Sequence, residues 1–209
     1  MTISPSRRTI VKGAAWTAPV LTAAAVAPGL AASPACTTTY QSITKGFTYK
    51  DALGNDVIVE VTAENVPLQA APGATLEPIS TSSKVTISAA SADLLKSFLL
   101  GNPATIGGTS TSTSTLSGAY SGSTTTPLTI AEAPAPPAGQ PLITTASGTG
   151  SPSAVPADAT PGTVTITMGS PASTLIGYRA DGSQSGTYNS TLTQIDGNDY
   201  TLGTFTICS

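Results

Sequence analysis

The sequence predicts an all-β protein, a sandwich with one short helix, and three observations carry that prediction. Glycine and proline contribute 20 and 17 of the 209 residues, and 25 serines and 36 threonines join them. These residues favour strands, turns and caps over helix interiors. Short runs of alternating apolar and polar residues recur roughly every ten residues, the rhythm of a sandwich. Only one segment has a helical apolar pattern, and no repeat at a solenoid period is visible.

The first 32 residues are set apart as an address. Arg7 and Arg8 stand just ahead of an Ala-rich apolar stretch that runs to about Ala32. A basic start, a modestly hydrophobic middle and small residues at the end form a secretory signal, and the arginine pair points to the twin-arginine (Tat) route and its translocase. Pro19 and Pro28 interrupt the stretch, which argues against a stable membrane span, for which about 20 predominantly apolar residues are needed. Cleavage is expected near Ala31 or Ala32, since small residues occupy the −3 and −1 positions there. Residues 33–209 are then the exported domain. Its five basic and eleven acidic groups give a net charge unsuited to nucleic acid or anionic lipid.

Cys36 and Cys208 bracket that domain. Export exposes such a pair to oxidising conditions, so a disulfide joining the first strand to the last is expected. A loop that long corresponds to roughly 5 kcal/mol as an upper figure in the chain-entropy model. Two other readings fit less well. A lipidated Cys36 lacks the preceding apolar residue that lipidation wants and would strand Cys208. A catalytic thiol needs a base, and the chain has no histidine.

Residues 45–63 read as a hairpin: Phe47 and Tyr49 alternate, Gly54, Asn55 and Asp56 turn, and Val57, Val59 and Val61 form an inward face. A Pro- and Gly-punctuated stretch, 66–78, then leads to a strand at 84–88. The helix is expected to start at Ser91 as N-cap, with Asp93 in its first turn, Leu94, Leu95, Phe98 and Leu99 as its stripe and Gly101 as its end. That stripe should pack across an open end of a sheet. Residues 109–115 alternate threonine and serine, which suits a strand with a long polar face, at an edge of the sheet. A strand at 124–131 runs into the proline-rich stretch 133–139, an extended connection between strands, and extended structure resumes at 141–145. The last third offers strands at 163–168, 174–179 and 200–208, with turns at Gly182, Gly186 and 196–199. Seven or eight strands in a single domain result.

Chemistry is sparse. Without histidine there is no imidazole base or metal ligand. Asp181, Asp196, Asn198 and Asp199 could offer oxygens to calcium, but they lack the loop spacing and the later glutamate of a calcium hand and read as plain turns. A carboxylate pair can hydrolyse glycosides, yet Trp16, the one tryptophan, lies in the leader, and the tyrosines suit core and sheet faces better than a sugar platform. No convincing serine–lysine or nucleophile-elbow spacing occurs. No catalytic, cofactor or metal residue is therefore assigned.

The run at 6–20 resembles the twin-arginine leaders of small secreted actinobacterial proteins. The remainder resembles a domain of unknown function found in such proteins, through its early cysteine, the Pro-Leu-Thr-Ile strand at 127–130 ahead of a proline-rich link, and the ending at 202–208. The resemblance implies an immunoglobulin-like Greek-key sandwich outside the membrane and supplies no catalytic residue. The expected protein is a secreted or envelope-associated, non-catalytic sandwich that acts by binding or adhesion to an unknown ligand; a structural subunit of a surface assembly is the alternative, and a carboxylate-based hydrolase a weaker one. No apolar helix or sorting tail follows Cys208, which leaves release or non-covalent wall association. N-terminal sequencing of the exported product should read a start within a few residues of Ala32, and replacing both Arg7 and Arg8 by lysine should abolish export. A product that retains Trp16 at the outside would contradict the leader assignment.

Overall fold

A computed structural model describes residues 36–208. The export arginines Arg7 and Arg8 and the cleavage region at Ala31 and Ala32 lie outside the described residues.

The first hairpin forms from the residues expected, β1 (Thr39–Lys50) and β2 (Asp56–Ala70), with Phe47 opposite Val59 and Tyr49 opposite Val57. Val57, Val59 and Val61 are buried, while Ile58 and Glu60 between them point outward. Strand β2 runs farther than expected, through Val66 and Pro67 to Ala70, because it stays paired with the start of β1 and meets the last strand at Gln69 and Ala70. A short β3 (Thr75–Leu76) and then β4 (Ser80–Ile87) follow, β4 pairing with β2 from Glu64 to Val57.

The helix α1 (Ala89–Leu94) starts earlier than the sequence suggests. Its N-cap is Ser88, whose hydroxyl accepts the Ser91 N–H at 3.3 Å, so Ser91 is a first-turn residue. A π-helical turn, Leu95–Leu99, continues it, closed by the Leu100 N–H donating to the Leu95 carbonyl at 2.9 Å. The extra residue in that turn rotates the apolar stripe. Leu95 and Leu100 are buried, whereas Leu94, Phe98 and Leu99 face outward, so Leu95 alone of the predicted stripe packs inward.

The Ser/Thr tract is a strand but not an edge. It lies in β5 (Thr105–Gly118), which pairs along its length with β6 (Gly122–Pro134) on one side. Next come β7 (Leu142–Thr149), β8 (Ser153–Ala154), β9 (Gly162–Met168), β10 (Ala172–Tyr178), β11 (Gln184–Thr191), β12 (Thr193–Gln194) and β13 (Thr201–Ile207). The other side of β5 is shared, its first half with β10 and its second half with β9. At Gly108 the φ of +144° and the carbonyl of Thr174 against its Cα leave no place for a β-carbon. Gly186, expected in a turn, is inside β11, where the backbone of Leu99 and Leu100 packs on it.

Strands β4, β7, β6 and β5 lie side by side in that order, with the helical connection joining β4 to β5. This is a Greek-key order, with β5, β6 and β7 linked by consecutive hairpins. One face of the sandwich is β1, β2, β4 and β7; the other is β5, β6, β9, β10, β11 and β13. The sheet also closes on itself. Neighbouring strands form an unbroken ring, β2–β4–β7–β6–β5–β9–β13 and back to β2. Two of its joins are short: β6 meets β7 only at Thr129 and Ile130, and β13 meets β2, in parallel, only at Gln69 and Ala70. Two apolar clusters fill the space between the faces. The larger centres on Phe47, the β2 valines, Val164, Phe205 and Ile207; the smaller joins Leu95, Leu100, Ile106, Leu128, Ile130, Leu142 and Leu175.

Cys36 and Cys208 are bonded, with Cα atoms 6.0 Å apart, as the sequence predicts. The bond sits at the β2–β13 join, where the Cys208 N–H donates to the Ala70 carbonyl at 3.1 Å. Intact-mass analysis should find no alkylation before reduction and two labels after it. Replacing both cysteines by serine should lower unfolding stability by about 2–5 kcal/mol in chemical denaturation; an unchanged midpoint would contradict a structural role for the bond.

Candidate functional site

The turn residues considered for calcium serve the turns themselves. Asp199 accepts the Thr201 N–H at 2.8 Å on one oxygen and the Lys45 ammonium at 3.0 Å on the other. Asp181 accepts the Ser183 N–H at 2.9 Å and its hydroxyl at 2.7 Å. In the turn that holds Asp196, the Asn198 N–H reaches the Ile195 carbonyl at 3.1 Å. Among the described residues no three carboxylate or cysteine side chains gather closely enough to hold a metal.

Other ionic side chains are absorbed by structure in the same way. Lys96, nearly buried, donates to the carbonyls of Pro136 and Pro137 and pairs with Asp93 at 3.0 Å, while Asp93 also accepts the Gly139 N–H at 2.9 Å. The helix thus clamps the proline-rich connection, a role the sequence did not signal for Lys96. Tyr200 donates to the Thr48 carbonyl and accepts the Ile195 N–H, both at 2.7 Å. Tyr49 donates to the Gly169 carbonyl at 3.1 Å. Burial, with Tyr200 beside it, pushes the Tyr49 hydroxyl well above the usual phenol range. The aromatic side chains Phe47, Tyr49 and Tyr200 pack on one another with centroids 5.0 to 6.5 Å apart, which is core, as expected.

Shallow polar clefts lie beside the Lys96 clamp and along β5, β10 and β11, and the more enclosed spaces are apolar. A cavity of about 60 Å³ lies between the faces, where the two clusters meet, with Val57, Val59, Leu128 and Leu175 among its walls and no carboxylate in its lining. Its space matches about two water molecules. Val57, Ile87, Tyr188, Ser190 and Leu192 are common to this cavity and to a groove at the helix end, a further 60 Å³ or so. Leu53 on the β1–β2 turn and Leu94 and Leu99 on the helical connection form the groove's rim. They are 69%, 48% and 46% exposed, and Phe98 beside them is 79% exposed. The groove's one carboxylate, Asp51, accepts the N–H groups of Leu53 and Asn55 and so shapes the rim. The periodicity at 94–99 pointed at these residues as core, but Leu94, Phe98 and Leu99 are exposed.

Hydrogen bonds to the Thr201 N–H, then to its hydroxyl and to Lys45, hold Asp199 down at about 2, against 3.8 for a free carboxyl. A depressed carboxylate contributes stability that is present above the unfolded value and lost as pH falls through the folded one. Stability should therefore drop between about pH 4 and pH 2 in denaturant titrations, and Asp199→Asn should flatten that part of the profile. An Asn variant with the wild-type slope would place the acid sensitivity elsewhere.

Comparison with curated proteins and with solved structures finds no match. A family comparison does find one, spanning residues 35–203 and therefore nearly the whole described domain. On that match the chain belongs to the DUF6801 family, a family of unknown function.

Proposed function

We propose that the protein is an exported, non-catalytic β-sandwich that acts at or beyond the cell envelope by binding, and that its groove takes a ligand presenting an aliphatic group. One observation carries this reading: Leu53, Leu94 and Leu99 rim a single groove that shares its inner wall with the interior cavity. Holding exposed leucines in place around a hollow costs apolar hydration that an ordinary surface avoids, and contiguous apolar patches of this kind mark interaction sites. The disulfide supports the export half of the reading, because such bonds persist in oxidising compartments. No helix among the described residues is long and apolar enough to cross a membrane. The Tat route and a cut near Ala32 complete the proposal from the leader's own residues.

Titration with a dansyl-labelled undecanoic acid tests it. Saturable one-to-one binding is expected, weakened about tenfold or more by Leu94→Ser together with Leu99→Ser, since each change removes apolar contact worth about 1 kcal/mol or more. Both residues are partly exposed, so the fold should survive, as circular dichroism can verify. Absence of saturable binding, or equal binding by the variant, would sink the groove as the site.

A further inference from the structure

We infer that two copies of this chain pair through the free edge of β11, extending the sheet across a two-fold axis. Among the described residues, strand β11 ends the strand order and pairs only with β10. From Gly186 to Thr191 that pairing is regular, the one register shift lying between Gly177 and Tyr178 on β10, where β11 begins. An outer strand of this kind presents a row of unpaired N–H and C=O groups, and proteins that stay monomeric blunt such edges with lysine, proline, bulges or very short strands.

Several other edges of this sheet carry such devices. Strand β1 carries Lys45 and Lys50, shows two register shifts, and is flanked only by the two-residue β12. Where β6 leaves β7 it carries Pro127. Side chains of β1 cover carbonyls of β13: Lys45 donates to Thr201 and Gln41 to Thr204. Strand β11 has one such device, the bulge that leaves Ser185 unpaired at its start; beyond it Gly186–Thr191 pairs regularly, and residues 184–191 contain no charged residue and no proline.

Charge selects the occupant. The described residues hold five basic and eleven acidic side chains, so two copies repel wherever their carboxylates approach. Strands β5, β9, β10 and β11 carry no charged residue at all. A copy meeting a copy along β11 therefore joins two neutral wings, and a basic or acidic partner finds nothing there to recognise. Antiparallel pairing must also keep each side chain on its own face. Placing Tyr188 opposite its symmetry mate does so: Gly186 then faces Ser190 of the second copy, and Thr187 faces Asn189. Tyrosine on tyrosine is a favourable cross-strand pair.

Sedimentation equilibrium on the purified chain with its native N-terminus, at concentrations up to ~1 mM, reads the association. A monomer–dimer equilibrium is expected, with slowed amide exchange in β11 as dimer accumulates. The double variant Thr187→Lys and Asn189→Lys, two exposed positions, should weaken association at least tenfold while circular dichroism stays unchanged. Phe98→Ser is the control and should leave the dimer intact. A single monomeric species throughout would overturn the inference, as would a dimer that survives the lysine pair or one that Phe98→Ser abolishes. None of these readouts depends on a ligand in the groove, so the two proposals stand or fall separately.

Discussion

The closing of one sheet upon itself through two short joins is the constraint on which the rest of this structure depends. Long ladders hold most of the ring, but β6–β7 and β13–β2 each supply only two residue pairs. So short a pairing adds little stability by itself, and each join is pinned by a bond of another kind. At β13–β2 it is the Cys36–Cys208 disulfide, beside the buried Ala70 and Ile207. At the other end of the β6 hairpin it is Lys96, whose ammonium gathers the Pro136 and Pro137 carbonyls while Asp93 takes the Gly139 N–H. A nearly buried lysine is tolerated there because an anion and two carbonyls meet its charge. The open side of the sandwich, between β1 and β11, has no such pin. Only Leu192 turns the chain across it, and that is where cavity and groove lie.

The two apolar clusters follow from the same closure. Aromatic residues of β1 and β13 concentrate in the larger one, where hydroxyl bonds from Tyr49 and Tyr200 tie distant backbone segments together. The smaller cluster borrows its side chains from the helical connection, through Ala92, Leu95 and Leu100. Serines and threonines of β5, β4 and β10 face the space between them, too small to bring the two clusters into full contact. A domain that spends so many inward positions on hydroxyl side chains leaves a gap at native packing density.

Much of this was legible in the sequence, and the failures share a cause. The β1–β2 hairpin could be read because Val57, Val59 and Val61 alternate cleanly and turn residues precede them, all of it local information. Cys36 and Cys208 could be read because chemistry and compartment leave few options for such a pair. The edge assignment of the Ser/Thr tract failed because polarity was taken for exposure. In a sheet that curls round, a strand of small side chains can be central, with β9 and β10 sharing one flank. The helical stripe failed through a single inserted residue, since a π-helical turn leaves no mark in the apolar periodicity and yet changes which leucine points inward. The Lys96 clamp was invisible because its partners are carbonyls some forty residues on.

Those failures bear on function, since the places where sequence and structure part are the places with surface to spare. An alternating tract that is central displaces the free edge to β11, a strand in a stretch where the sequence marks only turns. The π-helical turn at Leu95–Leu99 buries Leu95 and Leu100 about itself and holds the Lys96 clamp, while Leu94, Phe98 and Leu99 stay exposed beside them. Both departures fall on the same side of the sandwich, where the π-helical turn packs against Gly186 of β11. Binding in the groove and pairing at the edge would therefore act on one short stretch of backbone, Leu99–Leu100 against Gly186, which couples them physically even though each rests on its own observation.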